Sequence, residues 1–205
     1  MERIAVDIVL LPTQKVMDEA IRTNRELLKQ EPGGIVLDRK NCLPHVSLAM
    51  GCIDKNAISD TEKFLIEMAV KYPLTLLSFG GLFCETSSAG EKVTVALIEK
   101  TKILQSLHEE VMMGMRRFFT YDVKPYMLLS EEPVSESTLL WIQNYAEKSS
   151  FESFSPHITL GYGELGNYYF SRQIPISQLA LCHLGNHCTC RRILASVLIG
   201  TKTHK

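Results

Sequence analysis

The chain has 205 residues, 45% of them hydrophobic and 22% charged, with a formal net charge of -1. That length builds one domain or two small lobes sharing a core, and the composition is that of an ordinary globular protein. Near-neutrality argues against a large non-specific nucleic-acid interface, which needs an excess of Lys and Arg on one face, but it permits a small anionic ligand held by a few donors.

In chain order, Arg3 to Leu11 is a predicted strand. Its apolar run is interrupted by Asp7 and ends at Pro12, so it is too short and too polar for a membrane span, and it lacks the form of a signal peptide. A cytoplasmic location and six reduced cysteines are therefore expected. Val16, Met17, Ala20, Ile21, Leu27 and Leu28 recur at helical spacing until Pro32-Gly33-Gly34 stops the helix. A strand around His45 follows, and Ser59 to Glu62 forms a capping box for a second helix. Leu74 to Cys84, broken by Gly80-Gly81, and Val93 to Glu99 are strands joined by the polar loop Glu85 to Lys92, which is either a flap over a cleft or a long hairpin connection. A helix bearing Ile103, Leu104, Leu107, Val111 and Met112 comes next, with His108 read as a boundary residue. Then follow a short strand at Tyr126 to Leu129, a helix at Ser135 to Lys148 and a strand at His157 to Gly161. Leu179 to Leu184 and Arg191 to Ile199 close the chain as a hairpin.

The order strand, helix, histidine strand thus occurs twice without a linker, which predicts an α+β domain of two facing lobes, with a parallel α/β sheet ranked second. The repeat extends to the residues themselves. Pro44-His45-Val46-Ser47-Leu48 matches Pro156-His157-Ile158-Thr159-Leu160, and Gly51 and Gly163 stand at the same distance after each histidine. Side chains two apart on a strand share a face, so each histidine and its hydroxyl point to one side. Two imidazoles and two hydroxyls around one space suit a phosphodiester. One imidazole takes a proton from the attacking oxygen, the other gives one to the departing oxygen, and the hydroxyls hydrogen-bond the non-bridging oxygens. The chemistry requires no cofactor and no metal.

On His45, Ser47, His157 and Thr159, and on the element order of nearly the whole chain, the sequence resembles the two-histidine phosphoesterase superfamily. That superfamily includes RNA 2′,3′-cyclic phosphodiesterases and bacterial and archaeal 2′-5′ RNA ligase-like proteins. The resemblance implies a single catalytic domain over residues 1–205, with two intertwined pseudo-symmetric lobes of mostly antiparallel sheet and outer helices around a central cleft. It also implies metal-independent cleavage of a 2′,3′-cyclic phosphate or 2′-5′ linkage in a small nucleotide or RNA end, with His157 as base and His45 as acid. Two departures stand out: Ser47 replaces the commoner Thr, and Gly161-Tyr162 stands where RNA-processing members often carry a basic residue. Rival readings are a phosphodiesterase for cyclic oligonucleotide signals, a non-catalytic nucleotide-binding module, and a zinc-dependent interaction protein.

Around the four motif residues, Tyr162, Tyr126, Phe83 and Tyr168 are candidate base-stacking aromatics, Tyr162 foremost. Lys124, Arg39 and Lys40 are candidate phosphate contacts. The stretch Cys182 to Cys190 carries His183, His187 and Cys188, but Cys188 and Cys190 are too close for an ordinary zinc knuckle, so these thiols are read as buried or at a strand edge and no metal is assigned. His204 falls in a basic tail.

Overall fold

A segment as apolar as Ile4 to Leu11, in which Asp7 is the one polar residue, must be covered on both faces, and therefore belongs in the middle of a sheet rather than at its edge. In the computed structural model this is strand β1 (Arg3–Pro12), buried at every residue after Arg3. It lies between β2 (Val46–Asp54) and β6 (Gln173–Leu184), antiparallel to both. The structure describes residues 2–86, 90–166 and 169–200; the tip of the expected flap, Tyr168 and His204 lie outside them.

Among the described residues the fold is α+β, a seven-stranded sheet in the order β2-β1-β6-β3-β4-β5 with β7 (Cys190–Leu198) beside β6. The other strands are β3 (Leu76–Thr86), β4 (Lys92–Ile98) and β5 (His157–Tyr162). All six pairings are antiparallel, which rules out the parallel alternative. β6 joins the two ends of the sheet: Gln173 to Pro175 pair with β3, and the rest of the strand pairs with β1 and β7. Although β2 and β5 stand at opposite ends of this order, they approach one another, which brings the two histidine segments together.

Among the described residues four α-helices cover the sheet: α1 (Gln14–Leu28), α2 (Ile58–Lys71), α3 (Lys102–Met115) and α4 (Glu136–Lys148). Thr101 and Ser135 cap α3 and α4, their hydroxyls accepting from the N–H of Leu104 and Thr138. Two sequence expectations are corrected. The box at Ser59 to Glu62 is not a cap, because Asp54 already accepts from the Asn56 N–H and leads a 3-10 turn (Lys55–Ala57) into α2, so Ser59 is inside the helix. Nor is Tyr126 to Leu129 a strand: Pro125, with no N–H to donate to a ladder, opens a 3-10 turn (Pro125–Met127).

The repeat seen in the sequence continues into the backbone. Ala49 pairs with Ile8 and Ser47 with Val9, leaving Leu48 out of the ladder; Gly161 pairs with Thr94 and Thr159 with Val95, leaving out Leu160. Each histidine strand therefore has a β-bulge at the leucine of its motif. A bulged carbonyl loses its ladder partner and, when buried, needs another donor. The Leu48 carbonyl accepts from Nδ1 of His108 on α3 at 2.6 Å, and the Leu160 carbonyl accepts from Nδ2 of Asn24 on α1 at 2.8 Å. The helix that follows β1 thus packs against β5, and the helix that follows β4 packs against β2. His108, read as a boundary residue, is in fact fully buried, with its Nε2 accepting from the Phe151 N–H at 2.7 Å and its ring stacked on Phe154.

Candidate active site

His45 stands just before β2 and His157 opens β5. In each case the intervening proline places the carbonyl two residues back beside the ring: Nδ1 of His45 lies 2.7 Å from the Leu43 oxygen, and Nδ1 of His157 lies 2.8 Å from the Ser155 oxygen. A carbonyl can only accept, so both rings carry a proton on Nδ1, which leaves Nε2 clear of the backbone. The two rings are near enough that His157 acts electrostatically on His45. Burial pushes the pKa of His45 down to about 4, the charge of His157 pushes the same way, and the Leu43 hydrogen bond opposes both.

The bulge decides what joins His157. Along β5, His157 pairs with Leu97, Thr159 with Val95 and, past the bulge, Tyr162 with Val93. Because Val93, Val95 and Leu97 share one face, so do His157, Thr159 and Tyr162. Gly161 makes this turn with a φ of +142°, and a Cβ there would lie 2.7 Å from Nδ2 of Asn24. A side chain at this position would therefore be both strained and crowded. Phe83 pairs with Val95 and lies on the same face two strands from Thr159, half-exposed. Tyr162 is less free than its sequence position implied. Its hydroxyl is 2.8 Å from Nδ1 of His187, and burial raises its pKa to about 12.

Lys124 and Tyr126 do not join this group. Lys124 is exposed and paired with Asp122 at 2.6 Å, while Tyr126 stands 77% exposed on a turn whose Met127 carbonyl is met by His183. His183 pairs with Val6, so it points to the face opposite Asp7 and Cys182. Arg39 is bound to Asp18 at 2.7 Å and lines a cavity of about 690 Å³ with Lys15, Arg22 and Arg25, a cavity that none of the four motif residues lines.

Two residues at the site were not assigned from the sequence. Asp7, on β1, shares a face with Val9, the partner of Ser47. The hydroxyl of Ser47 donates to Asp7 Oδ2 at 2.6 Å, and Nε2 of His45 is 3.8 Å from the same oxygen. Asp7 is fully buried and its Oδ1 has no partner among the described residues. Burial raises the Asp7 pKa well above the ordinary carboxyl value, while hydrogen bonds from Ser47 and the Ala49 backbone act against that rise. The two hydroxyls, equivalent in sequence, are therefore unlike: Ser47 is committed to Asp7, whereas Thr159 has no side-chain partner among the described residues. The signal for Asp7 was present in the sequence as the one charge between Ile4 and Leu11. Cys190 is the second. It packs with Cys182 in a small apolar cluster of Val9, Leu11, Leu43 and Ala180, and its sulfur lies within 4.8 Å of ligand atoms of Asp7 and His45. Carboxylate, imidazole and thiol are a donor set that can hold a metal ion.

No helix is long and apolar enough to cross a membrane among the described residues. No protein-family model matches the chain, and no curated protein matches it.

Proposed function

We propose that the chain is a phosphodiesterase of the two-histidine type, working without a metal on a 2′,3′-cyclic phosphate or a 2′-5′ linkage in a small nucleotide or RNA end. The observation that carries this reading is the duplicated presentation of Nε2: two imidazoles, each held at Nδ1 by the carbonyl two residues back, on strands that approach one another. The matching bulges and the exchange of α1 and α3 between the histidine strands support the finer architecture of two intertwined lobes around a cleft.

In the reaction one Nε2 accepts the proton of the attacking water as its oxygen bonds to phosphorus, and the other ring, protonated at Nε2, delivers a proton to the departing ribose oxygen. Burial holds His45 in the form that accepts a proton. This fits His45 as base and His157 as acid, the reverse of the assignment that the resemblance implies. The Thr159 hydroxyl is free to donate to a non-bridging oxygen as charge builds there. The base of the substrate stacks on Phe83, which shares the Thr159 face, or on the Tyr162 ring. A net charge of -1 favours a short substrate over a long RNA in a cytoplasmic setting.

Product analysis over cyclic mononucleotides, cyclic dinucleotides and 2′-5′ linked dinucleotides tests the proposal. Turnover of a 2′,3′-cyclic or 2′-5′ substrate that is lost in both His45→Ala and His157→Ala supports it. Binding without turnover across the panel would favour the nucleotide-binding module instead.

A further inference from the structure

We propose that Asp7, His45 and Cys190 form a binding site for Zn²⁺, and that its occupation switches the cleft off. The site draws on three places in the chain: the middle of β1, the entry to β2 and the start of β7. Sheet pairing brings them together. Asp7 pairs with Cys182 on β6, Cys190 pairs with Leu184 on the same strand and bridges Leu43 two residues before His45, and the three ligand atoms lie within 4.8 Å of one another.

The geometry is close to what zinc requires. Zinc bonds of about 2.0–2.3 Å to N, O and S in a tetrahedron put neighbouring ligand atoms roughly 3.3–3.7 Å apart. His45 Nε2 and Asp7 Oδ2 are already 3.8 Å apart, so small side-chain rotations close the set. The outer contacts are also in place. The Leu43 carbonyl takes the His45 Nδ1 proton and so presents Nε2 as a ligand, and Ser47 holds the carboxylate at Oδ2. A separate observation concerns the same carboxyl: Asp7 Oδ1 is buried without a partner among the described residues, an unfavourable arrangement that an ion bound by both carboxyl oxygens would relieve. The thiol selects zinc over magnesium or calcium, which prefer all-oxygen sets. His45 keeps 15% of its side chain exposed, which leaves an approach through the cleft to partners that are otherwise buried. Three protein ligands leave a fourth position for water or a phosphate oxygen.

Binding releases the thiol proton of Cys190 and any proton held by Asp7. It also occupies the Nε2 lone pair of His45, so the ring can no longer take a proton from water. That consequence rests on the function proposed above; the metal site itself does not.

The test uses the full chain, stripped of metal. One equivalent of Co²⁺ should produce a thiolate-to-cobalt charge-transfer band, displaced by one equivalent of Zn²⁺. The band should be absent in Cys190→Ala and Cys190→Ser and retained in Cys84→Ala, with thermal unfolding of each metal-free variant checking that it folds. Zn²⁺ should raise the unfolding temperature of the native chain and not that of Cys190→Ser. With a 2′,3′-cyclic nucleotide, stoichiometric Zn²⁺ should abolish native turnover and EDTA restore it, while the turnover of Cys190→Ser should not respond to Zn²⁺. No charge-transfer band in the native chain, or an undiminished band in folded Cys190→Ser, would overturn the site. Zn²⁺ that raises turnover would overturn the switch. Should the metal-free chain turn over none of the nucleotides, the function proposal fails and the cobalt spectrum, which needs no substrate, still decides the site.

Discussion

The unequal surroundings of the two motif hydroxyls lead to a prediction that the sequence alone, in which the two are equivalent, does not make. Ser47→Ala and Thr159→Ala remove the same atom from matching positions, yet their costs should fall on different quantities. Thr159 has no competing partner among the described residues, so its loss removes a donor from the developing oxyanion. In a closed site such a loss lowers the rate on the order of 10²–10³-fold, and an open cleft lowers that figure because water replaces part of the donation. Ser47 spends its proton on Asp7 at 2.6 Å. Removing it deprives a buried carboxyl, already lacking a partner at Oδ1 among the described residues, of a hydrogen bond worth about 1.5–3 kcal/mol to a charged acceptor. With a urea slope of about 2 kcal/mol per molar, that lowers the unfolding midpoint by about 1 M. Neutral Asp7 would donate the bond instead and release the serine proton to the cleft, so the contrast is sharpest where Asp7 is ionised. Steady-state turnover of a 2′,3′-cyclic nucleotide and urea unfolding of both variants under that condition make the comparison. A Ser47→Ala protein with native stability and a turnover loss matching that of Thr159→Ala would refute the reasoning.

His45→Ala and His157→Ala should each lower turnover about 10²–10⁴-fold, with the double variant little worse, because a displacement missing either proton transfer gains little from the other; single-turnover kinetics of all three proteins check this. Asn24→Ala leaves the Leu160 carbonyl without its donor and should cost about 1–3 kcal/mol in urea unfolding while lowering turnover through the displaced β5 motif. Gly161→Ala should destabilise by more than about 1 kcal/mol, since alanine must adopt a φ of +142° with its Cβ 2.7 Å from the Asn24 amide; equilibrium unfolding measures it. Stability should fall as the pH drops below the ordinary histidine value of 6.5, because burial lowers the pKa of His108 in the folded chain and the unfolded chain protonates first. Each such histidine adds at most about 1.4 kcal/mol per pH unit, so His108→Gln should show a shallower pH slope, read from urea midpoints across a pH series.

The helices and most of the strands, though not the stretch Tyr126 to Leu129, were legible in the sequence because period-2 and period-3.6 patterns report burial directly, and the two histidine segments because their repeat was explicit. What could not be read depended on partners distant in the chain. Leu48 and Leu160 look like ordinary core leucines, and only the sheet register shows that their carbonyls drop out of the ladder and are met by His108 and Asn24. His108 then sits on the apolar side of α3 for a reason that helical periodicity cannot supply. Asp7 was visible as an interruption, but its partnership with Ser47, 40 positions away, required the pairing of β1 with β2. Cys190 was weighed with its neighbours in sequence, whereas its relevant neighbours are on β1 and at the entry to β2.

The exchange of helices bears on how the molecule comes apart. If each strand-helix-strand unit used its own helix, one end could open while the other persisted, and two unfolding steps would be expected. Here β2 depends on His108 from the later unit and β5 on Asn24 from the earlier one, so loosening either end strips the other of the donor for its bulge. β6 adds to this by pairing with β1 and β3 at once. The chain should therefore melt as one cooperative unit, with both histidine segments losing hydrogen-exchange protection together. Two fragments produced by a cut between α2 and β3 should each fail to fold alone, and should regain structure only when mixed.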